Sequence, residues 1–358
     1  MNRNTPFYIF NIVFCILMAS CNQSSRSSYE VIDLVNHKQL QEEFILLSDV
    51  SEFINIIPLE TSDSVLIGSI DKIKLYTNKL YITASNGVFV FDSDGKFLNT
   101  VGMKGRGPKE FINLYGIFPE NDIVWIIDRS GKKVLKYSNT GIFLESFDLA
   151  NQRFQDYYYS ENSVFIGFIP DHGQTNTDIM LAFFDATGIV DSLLHRNPMG
   201  ESEMMWAVYP EATFVNHGTQ IKMKHLFNDT IYNIMNNQLY PDIVLNLGDR
   251  KANEYARTGA VNKDPRTHNI TEGMDRAYLY GENDQFVYLE VENSPLFYDK
   301  KEKKVHKWTF ILPDDERLDS EQAKRFIPDY IDANGNLIGK TDPANEENNP
   351  VIIIAKLK

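Results

Sequence analysis

From residue 53 onward, short apolar or alternating runs are punctuated by tight polar turns, and helical periodicity is almost absent. One unit recurs. Gly87-Val88-Phe89-Val90-Phe91 meets the turn Asp92-Ser93-Asp94-Gly95 and returns through Lys96 to Val101. Val134-Leu135-Lys136-Tyr137, the turn Ser138 to Gly141 and Ile142-Phe143-Leu144 repeat it, as do Leu181 to Phe184, Asp185 to Gly188 and Ile189-Val190. Gly95, Gly141 and Gly188 are 46 and 47 positions apart. Glycine suits such a hairpin because it takes positive φ without a Cβ clash.

Weaker copies follow at Thr230 to Ile234 and Leu296 to Tyr298, and Val351 to Leu357 is a sixth strand with no returning partner. Further strand-like runs precede the copies, Ile70 to Leu75 and Leu80 to Thr83 before the first, Gly116 to Phe118 and Ile123 to Ile127 before the second. Four short strands per unit of this length predict an all-β six-bladed β-propeller. An N-terminal strand, Phe53 to Leu59, is expected to complete the last blade, with Pro58 tolerable at an outer edge. Two β-sandwiches would share the strand spacing, but no Pro/Gly-rich linker divides the chain. Ser320 to Phe326 reads as one short helical turn.

Charge narrows the partners. A formal net charge of −14 disfavours nucleic acid, whose phosphates need a basic surface, and electrostatic docking on anionic lipid. Both cysteines, Cys15 and Cys21, lie in the first 21 residues. The body therefore holds no disulfide, thiol nucleophile or cysteine metal site. Arg3, the apolar run Phe7 to Met18 and the small residues Ala19-Ser20 before Cys21 form a secretory signal, too short for a comfortable membrane span. Leu17-Met18-Ala19-Ser20-Cys21 resembles the bacterial lipoprotein signal, which implies acylation at Cys21. The expected organisation is a signal peptide over 1–20, a tether over 21–43 and the propeller over 44–358.

Gly102-Met103-Lys104-Gly105-Arg106-Gly107-Pro108-Lys109-Glu110-Phe111, following Phe91 to Leu98, resembles the Bacteroidetes 6-bladed β-propeller lipoproteins, related to NHL-repeat propellers. So do Ile57 to Thr61, Phe227 to Tyr232 and Asn349 to Ile352. The resemblance spans 53–357 and implies a lipoprotein propeller in the cell envelope, on the periplasmic or surface side, without implying an activity.

Candidate chemistry is sparse. No nucleophile elbow, zinc-protease helix, phosphate loop or dinucleotide fingerprint is present, and no cofactor is indicated. The turn Asp92 to Gly95 lacks the later bidentate Glu of a calcium loop and reads as a hairpin. Lysines in the run Asp299 to Lys307 are expected to keep the edge of blade five soluble. Blade topology puts the loop between second and third strands on the same face as the blade-to-blade connection, and there the longest segments fall. They bring Arg106, Glu110, His172, Trp206, Tyr209, Tyr255, Arg257, Arg266 and His268 as candidates for a ligand-binding face. Bland alternatives are an Arg106–Glu110 ion pair pinning its loop, and interblade packing for Trp206 and Tyr209. The expected function is a binding or interaction module for glycan or an envelope protein. The alternative is a metal-dependent lyase or hydrolase at the channel.

Overall fold

The computed structural model describes residues 29–358, apart from 63–64, 68, 150–153, 171–178, 196–209, 252–270, 321 and 342–347. The chain opens with β1 (Glu30–Asp33), β2 (Glu42–Leu46), a single helical turn α1 (Leu47–Val50) and β3 (Ser51–Pro58). Blade I then takes β4 (Ile70–Tyr76), β5 (Lys79–Ala84), β6 (Gly87–Asp92) and β7 (Phe97–Met103). Blade II takes β8 (Leu114–Glu120), β9 (Ile123–Asp128), β10 (Lys133–Ser138) and β11 (Phe143–Asp148). Blade III takes β12 (Asp156–Glu161), β13 (Val164–Phe168), β14 (Ile179–Asp185) and β15 (Gly188–Leu194). Blade IV takes β16 (Ala212–His217), β17 (Gln220–His225), β18 (Thr230–Met235) and β19 (Gln238–Asn246). Blade V takes β20 (Ala277–Glu282), β21 (Phe286–Val291), β22 (Ser294–Asp299) and β23 (Lys304–Leu312). Blade VI takes β24 (Ile327–Ile331), β25 (Asn336–Lys340) and β26 (Val351–Leu357), and β3 completes it.

This is the expected six-bladed propeller. Each blade is an antiparallel meander, and all six repeated runs found in the sequence are third strands. First strands of successive blades touch one another and ring a central channel. Blades VI and I are joined by side chains on open backbone donors: Asp329 accepts from Ile73 N–H at 3.3 Å, and the Tyr330 hydroxyl from Leu75 N–H at 3.0 Å. The core is divided into six layers, one between each pair of neighbours. Tyr81, Val88 and Val90 of blade I, for example, pack on Ile117, Val124 and Ile126 of blade II. Alternation along the strands sends successive side chains to opposite sheet faces, so each blade feeds two layers.

The repeated turns are explained locally. Asp92 Oδ1 accepts from Asp94 N–H at 3.0 Å and Lys96 N–H at 2.9 Å, so this carboxylate serves the hairpin. Gly95 has φ +81, and a Cβ there would lie 2.1 Å from the carbonyl oxygen of Pro58 in blade VI. The glycine is therefore needed both for the turn and for the neighbouring blade's approach.

The closing strand stands as expected, with Ile57 opposite Ile352 and Pro58 opposite Val351. Pro58, lacking an N–H, sits on the outermost strand, where no ladder bond is lost. Ile56, Ile57 and Leu59 are buried, whereas Phe53 is 60% exposed.

Two expectations need correction. The tether expected over 21–43 is folded from Glu30: β1 pairs parallel with β19 as a fifth strand of blade IV, and β2 with β23 as a fifth strand of blade V. Ile32 and Leu34 are buried between blades IV and V, while Val31 points outward at 57% exposure. The run Asp299 to Lys307 is likewise no bare soluble edge, because β2 covers β23. Its Lys303 pairs with Glu30, His306 with Glu43 at 3.1 Å, and Lys307 with Glu42 at 3.2 Å. A basic outer strand is matched by an acidic strap.

Candidate functional site on the loop face

Every first strand starts, and every second strand ends, on one face of the disc. We call this the loop face. The opposite turn face carries the hairpins between first and second strands and between third and fourth. Connections leaving Leu194 for Ala212, Asn246 for Ala277 and Phe168 for Ile179 all begin and end at the loop face. His172, Trp206, Tyr209, Tyr255, Arg257, Arg266 and His268 lie outside the described residues, as does Cys21.

Arg106 and Glu110 are described, and they differ. Arg106 is exposed on the connection from blade I to blade II. Glu110 is turned into its own loop, where Oε2 accepts from Gly107 N–H at 2.8 Å. A Cβ on Gly105 would lie 1.9 Å from that oxygen, so glycine makes room for the carboxylate. Gly105 N–H to Phe111 C=O at 2.9 Å closes the loop, and Lys133 Nζ and the Tyr137 hydroxyl tie it to blade II. Glu110 pins the loop through backbone, and no ion pair to Arg106 is formed. Arg106 is thus held outward on a firm base.

Deeper in the same face lies a cluster that the motifs did not flag. Asp156, the first residue of β12, is fully buried; its Oδ2 accepts from Glu211 N–H at 3.0 Å and Ala212 N–H at 2.9 Å. Burial pushes its carboxyl up to about 6, against the pull of the Ala212 N–H, Arg129, Tyr115 and Lys72. Beside it His225 Nε2 and Glu211 Oε1 are 2.9 Å apart, both side chains inside the protein. Burial, then the charges of Lys224 and His195, push the His225 pKa well below the ordinary value, so the ring is neutral and donates to the carboxylate. Lys224, 2% exposed, donates to the carbonyls of His225 at 2.7 Å and Asn228 at 2.5 Å. Burial pulls this ammonium down to about 7, with Asp229 partly opposing. His195 Nε2 donates to Ile169 C=O at 2.9 Å, and the Phe168 ring stands beside both His195 and His225.

The cluster joins blades III and IV where two of the long connections depart. No motif marked it: Lys222, Lys224 and His225 carry polar side chains along one strand, yet all three and Met223 are buried. The remaining channel wall mixes rings and lysines. Lys72 Nζ stands 4.8 Å from the Tyr115 ring centre and Lys74 Nζ 4.5 Å from that of Tyr330, while Tyr158 stacks on Phe214 at 5.7 Å. Burial lowers the pKa of Lys74, against the pull of Asp329. Among the described residues no group of three potential metal ligands forms.

No curated protein matches the sequence. A Bacteroides fragilis protein described as exported superposes with a TM-score of 0.67 at 18% identity, covering 92% of this chain and 99% of its own. A DUF4221 protein from Bacteroides vulgatus gives a TM-score of 0.46 at 12% identity over 86% of this chain and 97% of its own. A streptogramin B lyase gives 0.46 at 13% over 86% and 98%. At 18% identity the likeness to the Bacteroides fragilis protein speaks for the fold alone. One family, described as a domain of unknown function, matches residues 29–356, nearly the whole described propeller. The chain belongs to the DUF4934 family.

Proposed function

We propose that this protein is a lipoprotein of the cell envelope, anchored through Cys21, whose loop face is a binding module for a glycan or another envelope protein. The observation that carries this reading is the concentration on one face of the longest connections and the buried Asp156–Glu211–Lys224–His225 cluster. Binding sites favour loops on rigid scaffolds and perturbed ionisable groups. Arg106, His172, Trp206, Tyr209, Tyr255, Arg257, Arg266 and His268 would contribute the contacts, aromatic faces covering sugar rings and charged groups meeting hydroxyls. The exported description of the Bacteroides fragilis neighbour supports a location beyond the cytoplasm.

The test is a panel of envelope oligosaccharides presented to the mature protein. Trp206→Ala is expected to lower affinity for any glycan that binds by about tenfold or more, the scale of a well-buried aromatic anchor. Lys96→Glu, exposed on the turn face, should leave it unchanged. Equal binding by both variants overturns the placement. Cys21→Ala should shift the protein from the membrane to the soluble fraction and abolish incorporation of labelled fatty acid.

A further inference from the structure

We propose that the central channel holds a second binding site, for a uronic acid (a pyranose bearing a carboxylate), with Lys74 meeting the acid group. This goes beyond the loop-face reading, because it needs neither the anchor at Cys21 nor any residue of the long connections.

The first observation is one of exposure. An innermost blade strand is covered by its own blade and by its neighbours, so solvent reaches its mid-strand side chains through the channel. Lys72 of β4 is exposed, and Lys74 of β4, Tyr158 of β12, Phe214 of β16 and Asp329 and Tyr330 of β24 are half-buried. None of the six stands at the end of its strand. The channel is therefore solvated at mid-height and walled there by rings and charges.

These groups converge. Blades III and VI face one another across the ring, yet the phenols of Tyr158 and Tyr330 sense each other electrostatically. Lys74 Nζ stands 4.5 Å from the centre of the Tyr330 ring, which Leu75 N–H holds on the β4 edge by donating to the hydroxyl at 3.0 Å. Phe214 supports Tyr158 from behind, the ring centres 5.7 Å apart and the planes 25° from parallel.

Much of their hydrogen-bonding capacity is unused within the protein. Lys72 Nζ donates to Tyr115 C=O at 2.7 Å. Lys74 has three donors and, among the described residues, a ring but no acceptor. Asp329 accepts from Ile73 N–H through Oδ2 at 3.3 Å, while Oδ1 meets no donor among the described residues. The Tyr158 hydroxyl likewise has no partner among them. A uronic acid matches this set. Its carboxylate would take the ammonium in a charge-assisted bond, and its hydroxyls would meet Asp329 and Tyr158. Its apolar ring face would lie on an aromatic ring. A neutral sugar leaves Lys74 without an acceptor, and phosphate finds neither an arginine fork among these groups nor relief from Asp329. A net charge of −14 draws no anion from a distance, so selection falls to the channel's own groups.

The experiment is isothermal titration of the mature protein with glucuronate, galacturonate and mannuronate, and with glucose, galactose, mannose and inorganic phosphate. At least one uronate is expected to bind, about tenfold or more tightly than its neutral counterpart and than phosphate, the scale of one hydrogen bond to a charged group. Lys74→Met should weaken that uronate by about tenfold or more, while Lys74→Arg keeps most of the affinity. Tyr158→Phe should weaken it severalfold and serves as the deciding variant if circular dichroism shows that Lys74→Met has lost its fold. Failure of every uronate to bind, equal affinity for the neutral sugar or phosphate, or full affinity in a folded Lys74→Met chain overturns the site. A uronate weakened by Trp206→Ala but not by Lys74→Met overturns the channel site and leaves the loop-face reading standing. The converse result supports the channel site and removes that sugar from the loop face.

Discussion

Lys224 shows how a single residue can invert expectation. A lysine in a strand usually marks a solvent face, yet this ammonium is enclosed and satisfied by two carbonyls. Burial lowers its folded pKa to about 7, while the unfolded chain keeps the ordinary 10.5. Below about pH 7 both states carry the charge and the burial penalty is at its fullest. Between pH 7 and 10.5 only the unfolded chain keeps the proton, so stability rises with pH, at up to about 1.4 kcal/mol per unit. Urea unfolding at about pH 6.5 and about pH 9 should show the wild type gaining ~2–3 kcal/mol relative to Lys224→Met. A parallel pH dependence in the variant would show that Lys224 does not titrate in this way. Asp156 acts oppositely: its folded pKa of about 6 lies above the ordinary 3.8. Its contribution is therefore greatest below about pH 4 and is lost as pH rises toward 6.

At the scale of elements, the N-terminal segment performs two separable tasks. β3 closes the ring, and Ile56, Ile57 and, just past its end, Leu59 are buried against blades V, VI and I. β1, β2 and α1 instead cover the edges of blades IV and V, with Ile32, Leu34 and Leu47 at 0–1% exposure. Ile57→Ala should cost about 2–5 kcal/mol. Deleting 51–58 removes Ile56, Ile57 and the final ladder, a loss comparable with the whole net stability of a domain. Deleting 22–46 should lower the thermal midpoint but leave the ring closed and monomeric at low concentration, with bare β19 and β23 edges promoting association as concentration rises. Size-exclusion chromatography and calorimetry of the two deletions distinguish these outcomes. An intact, unshifted melt after loss of 51–58 would sink the closure account.

For the whole molecule, the layered core has a cooperative consequence. No blade owns a core of its own, since every cluster needs residues from two neighbours. Losing one blade strips a face from the blades beside it, so the ring is expected to unfold as a unit. Trp125 of blade II and Trp308 of blade V report from separate parts of the ring, and both are buried. In variants keeping one or the other tryptophan, denaturant midpoints referenced to backbone circular dichroism should coincide. A blade V midpoint clearly below that of blade II would divide the ring into independent parts.

Architecture was legible because it is written in short-range chemistry. The Asp-x-x-Gly turns at Gly95 and Gly188, the Ser-x-x-Gly turn at Gly141, the period between them and the unpartnered Val351 to Leu357 all concern neighbours along the chain or a count that must close. Even the strap had a local trace, since Val31-Ile32-Asp33-Leu34 alternates outward and inward as strands do. What it pairs with was not local: β1 meets β19 more than two hundred positions away, and only the folded ring brings Glu30 to Lys303 and His37 to Asp275. The loop face followed from topology alone, but the cluster beneath it did not. Asp156 and His225 come from different strands, with Glu211 just ahead of a third, and Asp156 and His225 acquire altered proton affinities only when blades III and IV exclude water around them. Residue type and spacing determined the repeat and its closure; burial and distance between blades, which no linear pattern encodes, decided which polar groups became unusual.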